Sequence, residues 1–285
     1  MHEATYGTYL NLPQLLSLQV PSAAHVHDER LFITVHQVQE LWFAQLLAEL
    51  TDARDAMQDG DPRQARARLA RSLTIVRSLI TGLTPLRTMP PAAFHAFRGE
   101  LGTASGAQSA QFHEIEAVYG AQWCQDRPIP SGLSDEEQER LRRRRSDPTL
   151  WDAFLALLRK SGFEVETAAG RQTTCIRLTE NLAPHTPEPT PDLPGPDDLT
   201  ELADLADLLI EHDEIWSEWR TGHTLLVERQ IGARQGTGGS TGIPYLRAGI
   251  HRRFFPELWE ARGLLTVGRK EADVSARSTL WPRHA

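Results

Sequence analysis

Cysteine is nearly absent from this 285-residue chain: Cys124 and Cys175 are its only two, in different contexts and with no Cys-x-x-Cys. That excludes a disulfide framework and a structural zinc knuckle. No run of apolar residues is long enough to cross a bilayer. The N-terminus lacks the basic region and apolar run of a secretory signal, so a reducing cytoplasm is the expected compartment. Positive charge is in deficit, with 30 Lys and Arg against 38 Asp and Glu and a net charge of −8, which argues against a general nucleic-acid binder. The one basic run, Arg142 to Arg145, follows Asp135, Glu136, Glu137 and Glu139 and reads as the solvated face of an ion-paired helix. Alternating strand patterns, a strand–glycine-rich–helix phosphate signature and internal repeats are missing as well.

Several catalytic signatures are also lacking. Without a Glu-x-x-His anywhere, the bundle-type di-iron pattern is absent. There is no His-Glu-x-x-His, and no serine nucleophile elbow joining a strand to a helix. His25, His27, Asp28 and Glu29 are dense enough to consider as a metal cluster, but read better as the polar start of a helix.

What remains is helical periodicity. About 40% of the residues are hydrophobic, enough for a sizeable core. From Glu29 to Met57, Leu31, Phe32, Val35, Val38, Leu41, Trp42, Leu46 and Leu50 recur at steps of three and four. A second long helix is expected from Pro62 to Leu83. Shorter ones are expected from Pro90 through Arg98, from Gln108 to Val118, and from a Ser134/Glu137 capping box to Arg145. Others should run from Pro148 to Lys160, from Asp198 to Ile231 with a break allowed, from Tyr245 to Arg253, and around Phe255 to Trp259. Six prolines between Pro184 and Pro196 mark an irregular loop. The expectation is an all-α bundle of long helices in a single domain over 1–285, with an N-terminal arm at 1–20, a Pro-rich loop at 184–197 and a loose polar C-terminus.

Three places on these helices could carry chemistry. Trp216, Trp219, His223 and Leu226 share one stripe, so His223 points inward. It is either a satisfied core histidine or an axial ligand to haem iron, with Gly222 letting a flat macrocycle approach. His36 shares a face with Phe32 and Gln39 and is either a satisfied histidine or a group placed above a cofactor. Arg98, after Phe94 and Phe97, either makes a surface ion pair with Glu100 or Glu114 or clamps a substrate carboxylate. The Gly236–Gly242 stretch, Gly-Thr-Gly-Gly-Ser-Thr-Gly, reads as a polar flap beyond the His223 helix.

In order along the chain, five segments resemble the tryptophan 2,3-dioxygenase superfamily of histidine-ligated haem oxygenases. They are Thr5–Leu10 with Gln14–Leu16; Phe32–Gln37 with Glu40–Trp42; Phe97–Gly102 with Ser105–Gly106 and Gln108–Ser109; Trp219–Arg220 with His223; and Gly236–Gly242 with Phe254–Leu258. The resemblance implies b-type haem on His223 and His36 near the indole nitrogen of a substrate. It further implies a carboxylate held by Arg98, Thr237 at the ammonium end, Phe32 as a pocket wall, and Ser105 and Gly106 near haem or substrate. It implies a homotetramer in which Tyr6 and Tyr9 come from a neighbouring subunit. A tyrosine commonly stands in the family where this chain has Phe94, so one hydroxyl of the carboxylate clamp is missing here. The middle region also follows the family less closely. The expected activity is oxygenation of the indole ring of L-tryptophan or a close derivative, most simply 2,3-dioxygenation to N-formylkynurenine. Monooxygenation of a substituted tryptophan or another aromatic amino acid, and a non-catalytic haem-binding role, stay open at this point.

Overall fold

Leu46, Leu50, Leu69, Val76 and Leu79 are fully buried, and they lie on the facing stripes of two long helices that set the frame of the molecule. The computed structural model describes residues 4–23, 25–120, 122–125, 127–182 and 196–265. Among these all regular structure is helical and no strand forms. The helices are α1 (Tyr6–Tyr9), α2 (Leu12–Leu15), α3 (His27–Asp59), α4 (Pro62–Gly82), α5 (Pro91–Phe97), α6 (Ala110–Tyr119) and α7 (Gln122–Gln125). They continue as α8 (Asp135–Ser146), α9 (Leu150–Lys160), α10 (Ala168–Asn181), α11 (Pro196–Ile231), α12 (Ile243–Gly249) and α13 (Pro256–Gly263). Short 3₁₀ turns span Thr84–Thr88, Arg98–Leu101 and Gly106–Gln108. No described helix is long and apolar enough to cross a membrane.

The long helices begin and end where the sequence marks them. α3 stops at Gly60, which takes the left-handed conformation at φ 87°, and the Asp61 side chain accepts from Gln64 N at 2.9 Å to open α4 behind Pro62. α4 packs along both α3 and α11, α9 and α6 lie against α3, and α10 joins α11 to α13. Replacing one fully buried leucine of this interface by alanine costs about 2–5 kcal/mol. The N-terminal arm is tied to α3 by the buried Glu29 carboxylate, which accepts from Ser22 N at 2.9 Å and Ala23 N at 2.6 Å.

Besides the one-turn helices α1, α2 and α7, which were not expected, the structure departs from the sequence reading in four places. α11 is continuous, because an unbroken stripe from Leu199 through Leu202, Leu205, Leu209 and Trp216 stays buried. α10 is an additional helix with few buried residues (Thr174, Cys175, Leu178), capped by Thr167 accepting from Gly170 N at 3.0 Å. α12 ends at Gly249 instead of running to Arg253, because α11 side chains capture the next carbonyls: Ser217 Oγ donates to Ile250 O at 2.6 Å and Arg220 to Arg252 O at 3.0 Å. In the basic run of α8, Arg142 and Arg143 face solvent, whereas Arg144 turns in to Glu114 and Thr51, and Arg145 to Arg127 O. The Pro-rich loop up to residue 195 and the C-terminal segment from 266 lie outside the described residues.

Candidate active site

A cavity of about 320 Å³, within the range of cofactor and small-molecule pockets, opens between α3, α5, α6, α11 and the loop after α11. α3 supplies Phe32, His36, Gln39 and Phe43, and α11 supplies Trp219, Arg220, His223 and Val227. Both sets follow from helical spacing: each is one stripe of a long helix, and packing against α4 fixes the rotation of both.

His223 makes no hydrogen bond among the described residues. Its ring stacks on Trp219 at 5.2 Å with an interplanar angle of 4°. Trp219 is itself held by Gln39, whose Oε1 accepts from Trp219 Nε1 at 3.4 Å while its amide donates to Leu79 O at 3.0 Å. Burial, with a smaller contribution from the facing His36, lowers the His223 pKa to about 4. The imidazole is therefore neutral, and its free nitrogen borders the cavity. His36 is also held below its ordinary value, mainly by burial. Its Nδ1 lies 2.8 Å from Phe32 O, a carbonyl that can only accept, so Nδ1 carries the proton and Nε2 is left as an acceptor. The His36 ring packs on Phe32 at 4.1 Å, and Phe32 meets Phe94 at 5.8 Å and Phe97 at 5.4 Å, which makes an aromatic wall.

The other side is closed by the Gly-rich loop, already seated on the segment after α5. Arg98 Nη2 donates to Gln235 O at 2.6 Å, and Thr237 Oγ1 donates to Ala104 O at 2.6 Å. Arg98 therefore pairs with neither Glu100 nor Glu114; the latter carboxylate is engaged by Arg140 and Arg144. Two glycines make this seating possible. A Cβ on Gly238 would lie 2.7 Å from Ser105 Cβ, and Gly242 has φ +71° with Arg234 O only 2.5 Å from where a Cβ would stand.

Phe32, His36, Phe94, Arg98, Ser105, Gly106, His223 and Thr237 all line this one cavity. Gly222 does not: a Cβ there would face Arg87 instead. Tyr6 and Tyr9 are also apart from it, 78% and 81% exposed on α1. His27 is likewise remote: its ring is fully exposed beside Asp28, and no cluster of three metal-ligating side chains occurs among the described residues.

The sequence reading missed the polar end of the cavity. Arg220, 7% exposed, lines it with Nη2 lacking any partner, while its guanidinium lies over Phe254 at 5.1 Å. Arg127 pairs with buried Glu116 at 3.2 Å and contacts the Tyr245 hydroxyl. A signal existed: His113, Glu114 and Glu116 are polar residues on a short helix that is buried almost all round. These groups fit a haem. A neutral, unpartnered imidazole is the form that ligates iron, and a buried guanidinium one helical turn away, with Nη2 free while Nη1 donates to Arg252 O, is a donor for an anionic edge.

The family model described as "Tryptophan 2,3-dioxygenase" matches residues 1–173 and 195–265. The unmatched interval takes in most of the Pro-rich loop. A tryptophan 2,3-dioxygenase of Nocardioides sp. is 42% identical over 92% of this chain and 95% of its own length. Those of Herpetosiphon aurantiacus (40% identical, 90% of this chain and 97% of the relative) and Anaeromyxobacter dehalogenans (37%, 92% and 96%) are similar over nearly full length. With one cavity carrying all the residues that the resemblance picked out except Tyr6 and Tyr9, and a match spanning most of its length, the chain belongs to the tryptophan 2,3-dioxygenase family.

Proposed function

We propose that this protein is a haem-dependent dioxygenase that opens the indole ring of L-tryptophan to N-formylkynurenine. The observation that carries the reading is the pairing of two neutral histidines across one cavity, one with an unbonded nitrogen and one with a fixed acceptor. His223 would hold the iron, and Arg220 would meet an anionic haem edge. The bound haem supplies the activation of dioxygen; the chain supplies orientation and exclusion of water.

The rest of the site positions an amino-acid substrate. His36 Nε2 accepts a hydrogen bond from the indole N–H. Phe32 and Phe94 form one wall on the ring side of the pocket. Arg98 retains free N–H groups beyond its bond to Gln235 O and takes the carboxylate, while Thr237 contacts the ammonium end. Ser105 and Gly106 lie where the flap meets the pocket and border haem or substrate. Fixing both ends of the substrate converts an encounter into a near-attack arrangement, which supplies much of the acceleration. Burial lowers the His36 pKa and so favours the uncharged ring with its acceptor nitrogen.

In this reading the active form is a homotetramer in which Tyr6 and Tyr9 of a neighbouring copy complete the pocket mouth. Their exposure on α1, together with Leu16, Leu18 and Val20 of the same arm, supports a packed partner. A cytoplasmic setting is consistent with two buried, unpaired cysteines. The test is turnover of L-tryptophan under ¹⁸O₂ followed by mass spectrometry. Two labelled atoms in a ring-opened product are expected; a single labelled atom in an oxindole overturns the assignment.

A further inference from the structure

α11 carries more than one ligand-bearing stripe requires. His212, Trp216, Trp219 and His223 follow one another at steps of four, three and four, on one face of the helix. Their rings form a continuous series. His223 stacks on Trp219 at 5.2 Å, Trp219 meets Trp216 edge-on at 5.5 Å, and Trp216 meets Tyr119 at 6.3 Å. The series ends in a closed hydrogen-bond chain. Trp216 Nε1 donates to the Tyr119 oxygen at 3.0 Å, and Tyr119 OH lies 2.7 Å from His212 Nδ1. His212 Nε2 lies 3.1 Å from Leu69 O. A carbonyl only accepts, so Nε2 holds the proton of the neutral ring. Nδ1 is then the acceptor and Tyr119 the donor. Tyr119, Trp216 and His212 are at most 1% exposed, and none of the three lines the cavity.

Packing alone asks for apolar rings here. It does not ask for a phenol whose proton is already directed at a base, at the end of two indoles in line from the iron-binding position. We propose that Trp219 and Trp216 form a conduit for oxidising equivalents and that the Tyr119–His212 pair is its terminus, with hydrogen peroxide as the oxidant. This rests on haem being held by His223. Peroxide removes two electrons as its O–O bond breaks. One oxygen leaves as water and the other stays with the haem. One electron comes from iron. The second comes from Tyr119 by way of Trp216 and Trp219, and the phenolic proton passes to His212 Nδ1. The products at the terminus are a neutral tyrosyl radical and an imidazolium. The buried position keeps the radical from solvent and draws the oxidising equivalent away from His223 and the substrate pocket.

The chain has four tyrosines, so the assignment can be exhaustive. Ferric holoenzyme, its haem content read from the Soret band, is mixed with hydrogen peroxide without amino-acid substrate, freeze-quenched and examined by electron paramagnetic resonance. Protein grown on ring-deuterated tyrosine should give a narrowed radical signal. Tyr119→Phe should lose the tyrosyl signal and Trp216→Phe most of it. Tyr245→Phe, which removes the tyrosine that borders the cavity, should leave it intact. A signal that survives Tyr119→Phe and vanishes in Tyr245→Phe overturns the proposal, as does fully loaded wild-type protein that gives no tyrosyl signal. If Tyr119→Phe fails to fold, wild-type protein decides. Deuterium exchange with electron–nuclear double resonance should find two exchangeable protons bonded to the radical oxygen, from His212 and Trp216, and any other count overturns it. A sample with no Soret band after haem supply refutes the haem reading instead.

Discussion

His212 and His223 sit on one face of one helix, and burial lowers both to a pKa of about 4, yet their surroundings are opposite. His212 is 0% exposed, with Tyr119 on one nitrogen and Leu69 O on the other. His223 has a stacked tryptophan, no hydrogen bond, and open space beside it. Burial and neutrality do not distinguish a structural histidine from a ligand. The unbonded nitrogen facing a cavity does: His212 has both nitrogens engaged inside the core, whereas those of His223 are left open to a ligand.

The sharpest way to break this comparison is to exchange the consequences. His223→Gly should lose the Soret band and all turnover while keeping its helical content, and added imidazole should restore part of the absorption. His212→Ala should do the reverse. It removes the acceptor of the Tyr119 hydroxyl proton and opens a void in the core, at a cost of roughly 3–5 kcal/mol in denaturant unfolding, with haem absorption retained. Loss of haem in the second variant and not the first would invert the assignment.

Acid should act on both histidines in the haem-free protein. A pKa of about 4 in the fold against 6.5 in the unfolded chain means the unfolded state binds more protons between those values. Stability therefore rises with pH through that window, is complete above it, and is lost as pH falls toward 4. For His212 the shift is worth roughly 3 kcal/mol. Chemical denaturation from pH 4.5 to 7 should show the slope, and His212→Gln should flatten it. An unchanged slope would mean that carboxylates, not these imidazoles, set the acid limb.

The flap side differs from the α11 side in being made of short turns and glycines, and its expected effects are smaller. Arg98→Leu removes a charge-assisted clamp worth about 1.5–3 kcal/mol, so kcat/KM should fall about 10–150-fold. Most of the loss should appear in KM, since indole stacking and the iron site are untouched. An equal loss in kcat alone would place Arg98 in the chemical step instead of in binding.

This contrast also explains what could be read from residues. α3, α4 and the span of α11, though not its continuity, were legible because long apolar stripes at steps of three and four leave little freedom. His36 and His223 were legible because they interrupt such stripes. α10 was not, since Thr174 and Cys175 are weak hydrophobic signals and its cap at Thr167 has no apolar run behind it. The early end of α12 was not, because Ser217 and Arg220 on another helix determine it. The polar end brings Glu116 and Arg127 together with Arg220 and Tyr245 from far along the chain, so the polar residues of α6 could signal it but no local pattern could assemble it.

The smallest expected effect lies where the aromatic wall meets the clamp. Phe94 is buried against Phe32 and Phe97 and carries no polar atom, four residues before Arg98 on the same side of the cavity. Phe94→Tyr adds one hydroxyl in a place where a substrate carboxylate would be in reach. A single net hydrogen bond contributes about 0.5–1.5 kcal/mol, so KM for L-tryptophan should fall about two- to tenfold with kcat nearly constant. Tryptamine, which has no carboxylate to receive the hydroxyl, is the control: its binding should not improve. If both ligands tighten equally, the hydroxyl acts through packing of the wall. If neither does, the clamp is complete with Arg98 and the flap alone, and the aromatic wall serves only the indole.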